Sequence, residues 1–216
     1  MKLMAFNGSP RKGWNTAVLL EQAVEGAASQ GAGTRLVHLY DLRYQGCISC
    51  FACKKRGGKS YGTCAVQDDL TAIYAEIREA DALILGSPVY FGDVTGEIRS
   101  FLERLLFPYL LYDDPSRSLF PRTIRTGWIY TMNLPEGQAR EMGYDRLFES
   151  NERVMGTIFG RSESIMSYDT LQFEDYAAVV APRFDPAAKE KRRREVFPQD
   201  MEKAFAMGAA FAAGPA

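Results

Sequence analysis

Short apolar segments alternate with amphipathic helical patterns along the chain, and this alternation constrains the fold more than any other feature. Apolar segments predict strands at residues 2–6, 35–40, 82–85, 123–132 and 163–168. Helical patterns include an apolar stripe through Leu20, Ala23 and Ala27, then residues 70–77, 98–105, 144–159 and 187–213, with an interruption expected at Pro198. Strands that alternate with helices usually pair in parallel. The sequence therefore predicts an α/β fold, a doubly wound five-stranded parallel sheet with helices on both faces.

Length and charge limit the classes of partner. The 216 residues suit a single domain, so residues 1–216 are expected to form one. The 26 basic and 27 acidic side chains leave a net charge of −1, which provides no overall field to attract nucleic acid or an anionic membrane. No apolar run approaches the ~20 residues of a membrane span, and no secretory leader pattern is present. We expect a soluble, cytoplasmic protein that acts on small molecules.

The first strand runs into a turn, residues 7–16, that has the composition of a phosphate site. Ser9, Asn15 and Thr16 supply neutral donors, Arg11 supplies a guanidinium, and the helix that follows adds its N-terminal amides. The turn lacks the spacing of both common nucleotide fingerprints, G-x-G-x-x-G and the P-loop. A monophosphate such as that of FMN suits this arrangement.

A second turn, residues 86–94, links the strand at 82–85 to a helix. In a doubly wound sheet, ligands bind beyond the carboxyl ends of the strands where the strand order reverses. In the order 2-1-3-4-5, strands one and three are neighbours at that point. The two turns are therefore predicted to face one crevice, with a phosphate at one turn and a ring at the other.

Gly8-Ser9-Pro10-Arg11 with Asn15-Thr16, together with Ser87 to Gly92, resembles the NADPH-dependent FMN reductase family of flavodoxin-like proteins. The resemblance implies a flavodoxin-like fold in which the first turn binds the FMN phosphate and the second lies along the isoalloxazine ring. The residues to which it assigns cofactor binding are Ser9, Arg11, Asn15, Thr16, Pro88, Val89, Tyr90, Phe91 and Gly92. Thr131, Met132 and Asn133 are weaker candidates for the other side of the ring.

One position departs from the family pattern. Trp14 occupies a place where related sequences commonly have a small hydroxyl residue, so one phosphate hydrogen bond is expected to be missing. Two roles are open for its indole: it could shield the site, or it could pack under a neighbouring subunit.

All four cysteines lie in one 18-residue window, Cys47, Cys50, Cys53 and Cys64. Their spacing resembles the compact motif of iron-sulfur flavoproteins, in which four thiolates hold a 4Fe-4S cluster beside FMN, although the last interval is longer here. Three assignments stay open: uncoordinated thiols, which we favour, a 4Fe-4S cluster, and a structural zinc site.

Two further features are assigned structural roles. His38 is the only histidine and falls in a predicted strand, so no histidine-based triad can be assembled and a packing role is expected. The charged run from Lys189 to Glu195 mixes both signs and predicts a solvated helix face.

The favoured function is an FMN-dependent NAD(P)H oxidoreductase, with NAD(P)H as co-substrate and a quinone, nitro compound or flavin as the small acceptor. Hydride transfer needs no protein nucleophile, and no catalytic side chain is identified. Two alternatives are an iron-sulfur flavoprotein electron carrier and a redox-sensing or binding module without turnover. The family resemblance also implies a homodimer or higher homo-oligomer with the flavin near the interface.

Overall fold

The computed structural model describes residues 1–114 and 117–214 and contains a five-stranded parallel sheet. Its strands are β1 (Lys2–Asn7), β2 (Gly33–His38), β3 (Ala82–Pro88), β4 (Arg125–Thr131) and β5 (Ser162–Ser167). Their order in the sheet is β2-β1-β3-β4-β5, with every neighbouring pair parallel. The predicted doubly wound sheet and its strand order are confirmed.

Seven α-helices connect and cover the strands within the described ranges. They are α1 (Asn15–Ser29), α2 (Leu70–Glu79), α3 (Gly96–Leu106), α4 (Glu136–Glu141), α5 (Tyr144–Phe159), α6 (Pro186–Glu195) and α7 (Phe197–Ala212). The break expected at Pro198 falls two residues earlier, at Val196, because proline is tolerated in the first turn of α7. The six-residue helix α4 is absent from the prediction. In the described part of the chain, no helix combines the length and the hydropathy needed to cross a bilayer.

The core forms two layers, one on each face of the sheet. Alternate strand residues such as Ala5 and Ile84 pack against α1 and α7, and the others, such as Phe6 and Leu85, pack against α2, α3 and α5. Residues 82–85 of β3 are completely buried. A central parallel strand is covered on both faces, which explains its continuous apolar sequence.

Two glycines let α7 lie directly on α1. A Cβ atom on Gly208 would collide with the carbonyl oxygen of Ala23, and one on Gly26 would collide with the carbonyl oxygen of Phe205. Only glycine therefore permits this approach of the two backbones. The contact carries α6, which precedes α7 directly, to the N-terminal end of α1.

Candidate active site

The two predicted binding turns are joined to each other at the carboxyl end of the sheet. The N–H of Gly8 donates to the carbonyl of Gly86 at 2.8 Å, and the hydroxyl of Thr95 donates to the carbonyl of Gly8 at 2.8 Å. A side chain at Gly8 would collide with Ile98 of α3. The N–H of Val89 donates to the carbonyl of Thr131 at 2.9 Å, which adds the end of β4 to the same group.

The first turn is shaped by its own side chains. Asn7 Oδ1 accepts the N–H of Ser9 at 2.9 Å, and Ser9 Oγ accepts the N–H of Arg11 at 3.2 Å. The other end of the Asn7 amide lies 3.0 Å from Nδ1 of His38, so His38 supports the turn from β2. Ser9 is buried, and its hydroxyl keeps its proton available for a ligand.

The N-terminus of α1 opens at this turn without a side-chain cap. Trp14 occupies the cap position and contributes no side-chain hydrogen bond to the first helical turn, which also lacks acidic residues. The first amides of a helix have no partner within the helix, and the helix dipole adds partial positive charge there. Because Asn15 and Thr16 are buried, this end of α1 is suited to an anion.

Three side chains of the first turn donate to the 169–172 segment, which follows β5. Arg11 Nη1 donates to the carbonyl of Gln172 at 2.7 Å. Both Trp14 Nε1, at 3.1 Å, and Asn15 Nδ2, at 2.8 Å, donate to the carbonyl of Leu171. Thr16 Oγ1 instead lies 2.7 Å from Thr131 Oγ1. The structure thus brings all four predicted phosphate residues together, and the Ser9 hydroxyl is the side-chain donor among them that gives its proton to no described group.

Trp14 acts inside this network. The guanidinium carbon of Arg11 lies 3.7 Å from the centre of the indole ring, a cation–π contact. The indole therefore holds the Arg11 guanidinium over the turn and ties the turn to Leu171. Arg11 is exposed and has no carboxylate partner within the described residues. Exchanging the neutral Gln172 carbonyl for an anion would strengthen its hydrogen bond.

The second turn is a two-residue hairpin. Tyr90 and Asp93 exchange both backbone hydrogen bonds, at 2.8 and 3.0 Å, and the two residues between them have positive φ, +53° at Phe91 and +80° at Gly92. Positive φ is ordinary for glycine but strained for phenylalanine. The turn uses the N–H groups of Tyr90 and Asp93, and those of Phe91 and Gly92 have no acceptor among the described residues. The Phe91 side chain is fully exposed.

The end of β4 offers fewer side chains to the proposed ring site than the sequence predicts. Met132 is buried in the core layer that contains α5, so its side chain is a packing group. Thr131 is occupied with Thr16, and Asn133 Nδ2 donates to Gln172 Oε1 at 2.6 Å. Asn133 Oδ1 is buried without a hydrogen-bond partner among the described residues.

These features fit FMN. The uncapped helix terminus, the Ser9 hydroxyl and the Arg11 guanidinium suit a phosphate, and the two free N–H groups of the hairpin suit the polar edge of a flat ring. Strained, exposed residues such as Phe91 commonly mark functional sites.

The four cysteines line one small cavity together with Arg104 and Phe107. Cys47 and Cys50 are exposed, Cys64 is partly buried, and Cys53 is buried. Burial raises the pKa of the Cys53 thiol, only partly offset by Lys54. All four are free thiols, and among the described residues no three or more histidine, cysteine or acidic side chains have an arrangement that could hold a metal ion.

Arg104 of α3 forms hydrogen bonds to both ends of the cysteine segment, residues 45–66. Its fully buried guanidinium donates to the carbonyls of Gln45, at 3.0 Å, and Val66, at 3.2 Å, and its Nε lies 3.4 Å from the sulfur of Cys64. Asp68 accepts two more of its hydrogen bonds. Burial alone would lower the pKa of Arg104, but the hydrogen bonds to Asp68 and Cys64 raise it. Arg104 therefore remains charged beneath the cysteines.

An apolar cavity of about 480 Å³ lies beside the cysteine segment, between α3 and α5. Cys47, Phe51, Leu102 and Phe107 are among its walls. None of the nine predicted FMN residues lines it, so this cavity is separate from the two turns.

The prediction of a solvated helix face at residues 189–195 is wrong for three of its basic residues. Lys189 is 4% exposed, and its Nζ donates to Asp169 and, at 2.7 Å, to the carbonyl of Asn133. Arg192 pairs with the buried Asp200, and Arg193 Nη1 donates to Asn15 Oδ1 at 2.8 Å. Apart from Asp200, which is eight residues further along the chain and in the next helix, these partners lie 20 or more residues away, so the charge pattern of the helix alone carries no signal of the contacts.

The model of the NADPH-dependent FMN reductase family matches residues 1–120, more than half of the chain. The chain belongs to this family. The matched region contains both turns and the cysteine segment, whereas the 169–172 segment and α6 lie outside it.

The proteins similar in sequence carry two kinds of name, iron-sulfur flavoprotein and FMN-containing oxidoreductase. An iron-sulfur flavoprotein of Methanocaldococcus jannaschii is 38% identical over 104 residues, 48% of this chain and 51% of that protein. A Bacillus subtilis protein named as an NAD(P)H-dependent FMN-containing oxidoreductase is 30% identical over 104 residues, 48% of this chain and 51% of its own length. The chain thus spans about half the length of the relatives that it matches.

Solved structures share the fold over the whole chain. An NAD(P)H:quinone oxidoreductase from Methanothermobacter marburgensis superposes with a TM-score of 0.69 at 13% identity, covering 100% of this chain and 99% of that one. An FMN-dependent NADH-azoreductase from Bacillus anthracis, in complex with FMN, gives a TM-score of 0.65 at 11% identity, covering 98% of this chain and 100% of that one. At these identities the likeness supports the flavodoxin-like fold.

Proposed function

We propose that this member of the NADPH-dependent FMN reductase family is an FMN-dependent NAD(P)H oxidoreductase that reduces a small acceptor. The observation that carries the proposal is the hairpin at Tyr90–Asp93, which lies beside the uncapped N-terminus of α1. In this hairpin Phe91 is strained and exposed, and two backbone N–H groups have no acceptor among the described residues. Residues 1–216 are proposed to act as one FMN-binding domain, because both core layers are built on a single sheet.

The chemistry that FMN supplies when bound is acceptance of a hydride from the nicotinamide and delivery of electrons to a second substrate. Ser9 and Arg11 are proposed to hold the phosphate, with Thr16 fixing the helix terminus through Thr131. The backbone N–H groups of Phe91 and Gly92 are proposed to donate to the polar edge of the ring, with Pro88, Val89 and Tyr90 alongside it. Because these donors are fixed by the hairpin, they need no reorganisation as negative charge develops.

The acceptor is proposed to be a quinone, a nitro compound or a free flavin. The fully exposed Phe91 supports an open site that admits the nicotinamide and the acceptor in turn. Initial rates with NADPH and a benzoquinone are then expected to give parallel double-reciprocal lines, the pattern of alternating binding at one site. Absence of NADPH and NADH oxidation by FMN-loaded protein, with any of the three acceptor types, would overturn the proposal.

Arg11 and its neighbour Lys12 provide a matched test of the phosphate site. Lys12 pairs with Asp41 at 2.6 Å, whereas Arg11 has no carboxylate partner among the described residues. Arg11→Gln is expected to weaken FMN binding about 10-fold or more, the loss of a charged hydrogen bond, and Lys12→Gln to leave it within roughly twofold. Equal dissociation constants for both variants, measured by flavin fluorescence quenching, would contradict the assignment.

Assembly and location are part of the same proposal. A homodimer or higher homo-oligomer is supported by the exposed rings of Phe91 and Tyr90 beside the proposed flavin site. A cytoplasmic location is supported by the four free cysteines, since reducing compartments keep thiols in that state. Analytical ultracentrifugation of the FMN-loaded protein tests the first point, and a monomer would contradict it.

A second candidate function is an iron-sulfur flavoprotein electron carrier. The observation that favours it is the shared cavity lined by all four cysteines, above the buried guanidinium of Arg104. Four thiolates are the ligand set of a 4Fe-4S cluster. Since the described thiols are not arranged as metal ligands, binding a cluster would require the cysteine segment to rearrange.

Thiol labelling of anaerobically purified protein separates the two candidates. Without a cluster, the exposed Cys47 and Cys50 are expected to react with iodoacetamide faster than the buried Cys53. Protection of all four cysteines, with iron and sulfide in stoichiometric amounts, would replace the first candidate by the second.

A further inference from the structure

Arg193 of α6 is a partly buried cation. On the same helix Lys189, Lys191 and Arg192 each pair with a carboxylate. No carboxylate within the described residues lies at salt-bridge distance from Arg193. Its guanidinium packs on the face of Phe197, with 3.9 Å from the guanidinium carbon to the ring centre. Burial, and then the charge of Arg192, lower the pKa of Arg193, which is the direction expected where no anion compensates the charge.

The contact that Arg193 makes points it at the first turn. Nη1 donates to Oδ1 of Asn15, the first residue of α1, at 2.8 Å. A guanidinium can only donate, so the oxygen of the Asn15 amide must face Arg193, and its nitrogen must face the carbonyl of Leu171. The buried Asn15 side chain is therefore committed to Arg193 and to the 169–172 segment.

This arrangement changes the role of Asn15. Both ends of the Asn15 amide are occupied, so Asn15 has no donor directed at a phosphate. The guanidinium of Arg193, which Asn15 orients, has further N–H groups that can donate to one. The guanidinium thus reaches the uncapped end of α1, beside Trp14, on whose ring Arg11 lies. Two guanidinium groups without carboxylate partners in the described chain therefore contact consecutive residues of one turn.

We propose that Arg193 is a further cationic ligand of the FMN phosphate, held in place by Asn15. This inference rests on the proposed function, in which the first turn binds that phosphate. Arg193 lies outside residues 1–120, the region that the family model matches, and in a helix whose position depends on the packing of α7 against α1. Arg193 would select flavins that carry a phosphate over riboflavin, which has the same ring and no phosphate.

The test compares FMN and riboflavin binding by fluorescence quenching in the full-length protein. Arg193→Gln is expected to raise the dissociation constant of FMN about 10- to 100-fold, the loss of a charged hydrogen bond, and to change that of riboflavin by less than roughly twofold. The control is Arg194→Gln, which removes the same charge from the adjacent exposed position and should leave both constants unchanged. Arg193→Lys should recover part of the preference for FMN, because it keeps the charge.

Three results would overturn the inference. If Arg193→Gln weakens FMN and riboflavin equally, the residue supports the fold of the turn and does not contact the phosphate. If the wild-type protein prefers FMN and Arg193→Gln keeps that preference, the phosphate is held without Arg193, and the proposed function stands. If the wild-type protein binds neither flavin, the proposed function itself fails, and the inference falls with it.

Discussion

Lys189 shows how one buried charge can organise several loops. Its ammonium group joins Asp169 of the 169–172 segment to the carbonyl of Asn133 at the end of β4. A buried cation is costly unless it is paired and hydrogen-bonded, and here both conditions hold. Lys189 therefore fixes α6, and with it Arg193, above the candidate site.

Lys189→Met is expected to lower the free energy of unfolding by about 2–3 kcal/mol, toward the low end for a broken buried pair because Asp169 is about one-third exposed. The matched control is Lys191→Met, which breaks an exposed pair with Glu195 and should cost roughly 0.5 kcal/mol or less. Urea denaturation of both variants measures the difference. Equal losses would show that the Lys189 contacts are not maintained in solution.

Phe91 carries strain with no compensating packing in the described chain. Its φ of +53° is unfavourable for a residue with a Cβ atom, and its ring is fully exposed. Phe91→Gly is expected to stabilise the flavin-free protein by up to roughly 1 kcal/mol and to weaken FMN binding, the trade-off of a strained functional residue. Thermal unfolding and FMN titration check the two effects, and a destabilised variant would contradict the strain argument.

Side chains of the two turns could be predicted from the sequence, because turn residues and their donors are local. Ser9 and Arg11 lie where the pattern placed them. The roles of Asn15 and Trp14 could not be predicted, because each is set by Leu171, more than 150 residues away. For the same reason, no local pattern indicates that Arg193 reaches α1.

At the scale of elements, the crossing of α1 and α7 decides where the C-terminal part of the chain lies. Gly208 sits against the backbone of Ala23, whereas Gly156 of α5 has open space where a Cβ atom would point. Both are helical glycines, so the same substitution can be compared with and without a steric conflict.

Gly208→Ala is expected to destabilise the protein by about 1–3 kcal/mol, because a methyl group there forces the helix backbones apart. Gly156→Ala should instead stabilise it by roughly 0.5–1 kcal/mol, the usual gain of alanine over glycine in a helix. Thermal denaturation compares the two. A Gly208→Ala protein as stable as the wild type would mean that α7 does not lie on α1 as described.

Most elements could be predicted because their apolar stripes reflect burial directly. The stripe through residues 98–105 becomes α3, and the continuous apolar residues 82–85 become the central strand β3. The short α4 has a single buried side chain, Ala139, which is too little to produce a periodic pattern. The break between α6 and α7 lies at Val196, just before Pro198. Proline is tolerated in the first turn of a helix, so Pro198 predicts the position of this break to within one turn.

The whole molecule is a doubly wound sheet whose switch point joins two turns and a segment from the far end of the chain. The order β2-β1-β3-β4-β5 places the carboxyl ends of β1 and β3 side by side, as the sequence predicts. The family match ends at residue 120, yet the 169–172 segment and α6 complete the wall around the first turn. We propose that FMN binds at this switch point and accepts hydride from NAD(P)H.

The most direct test is the absorbance of the FMN-loaded protein during anaerobic titration with NADPH and, separately, with NADH. We expect the flavin band to be bleached by about one equivalent of at least one nicotinamide and to return when a quinone is added. A protein that retains no FMN, or whose bound flavin keeps its absorbance in the presence of both nicotinamides, would contradict it.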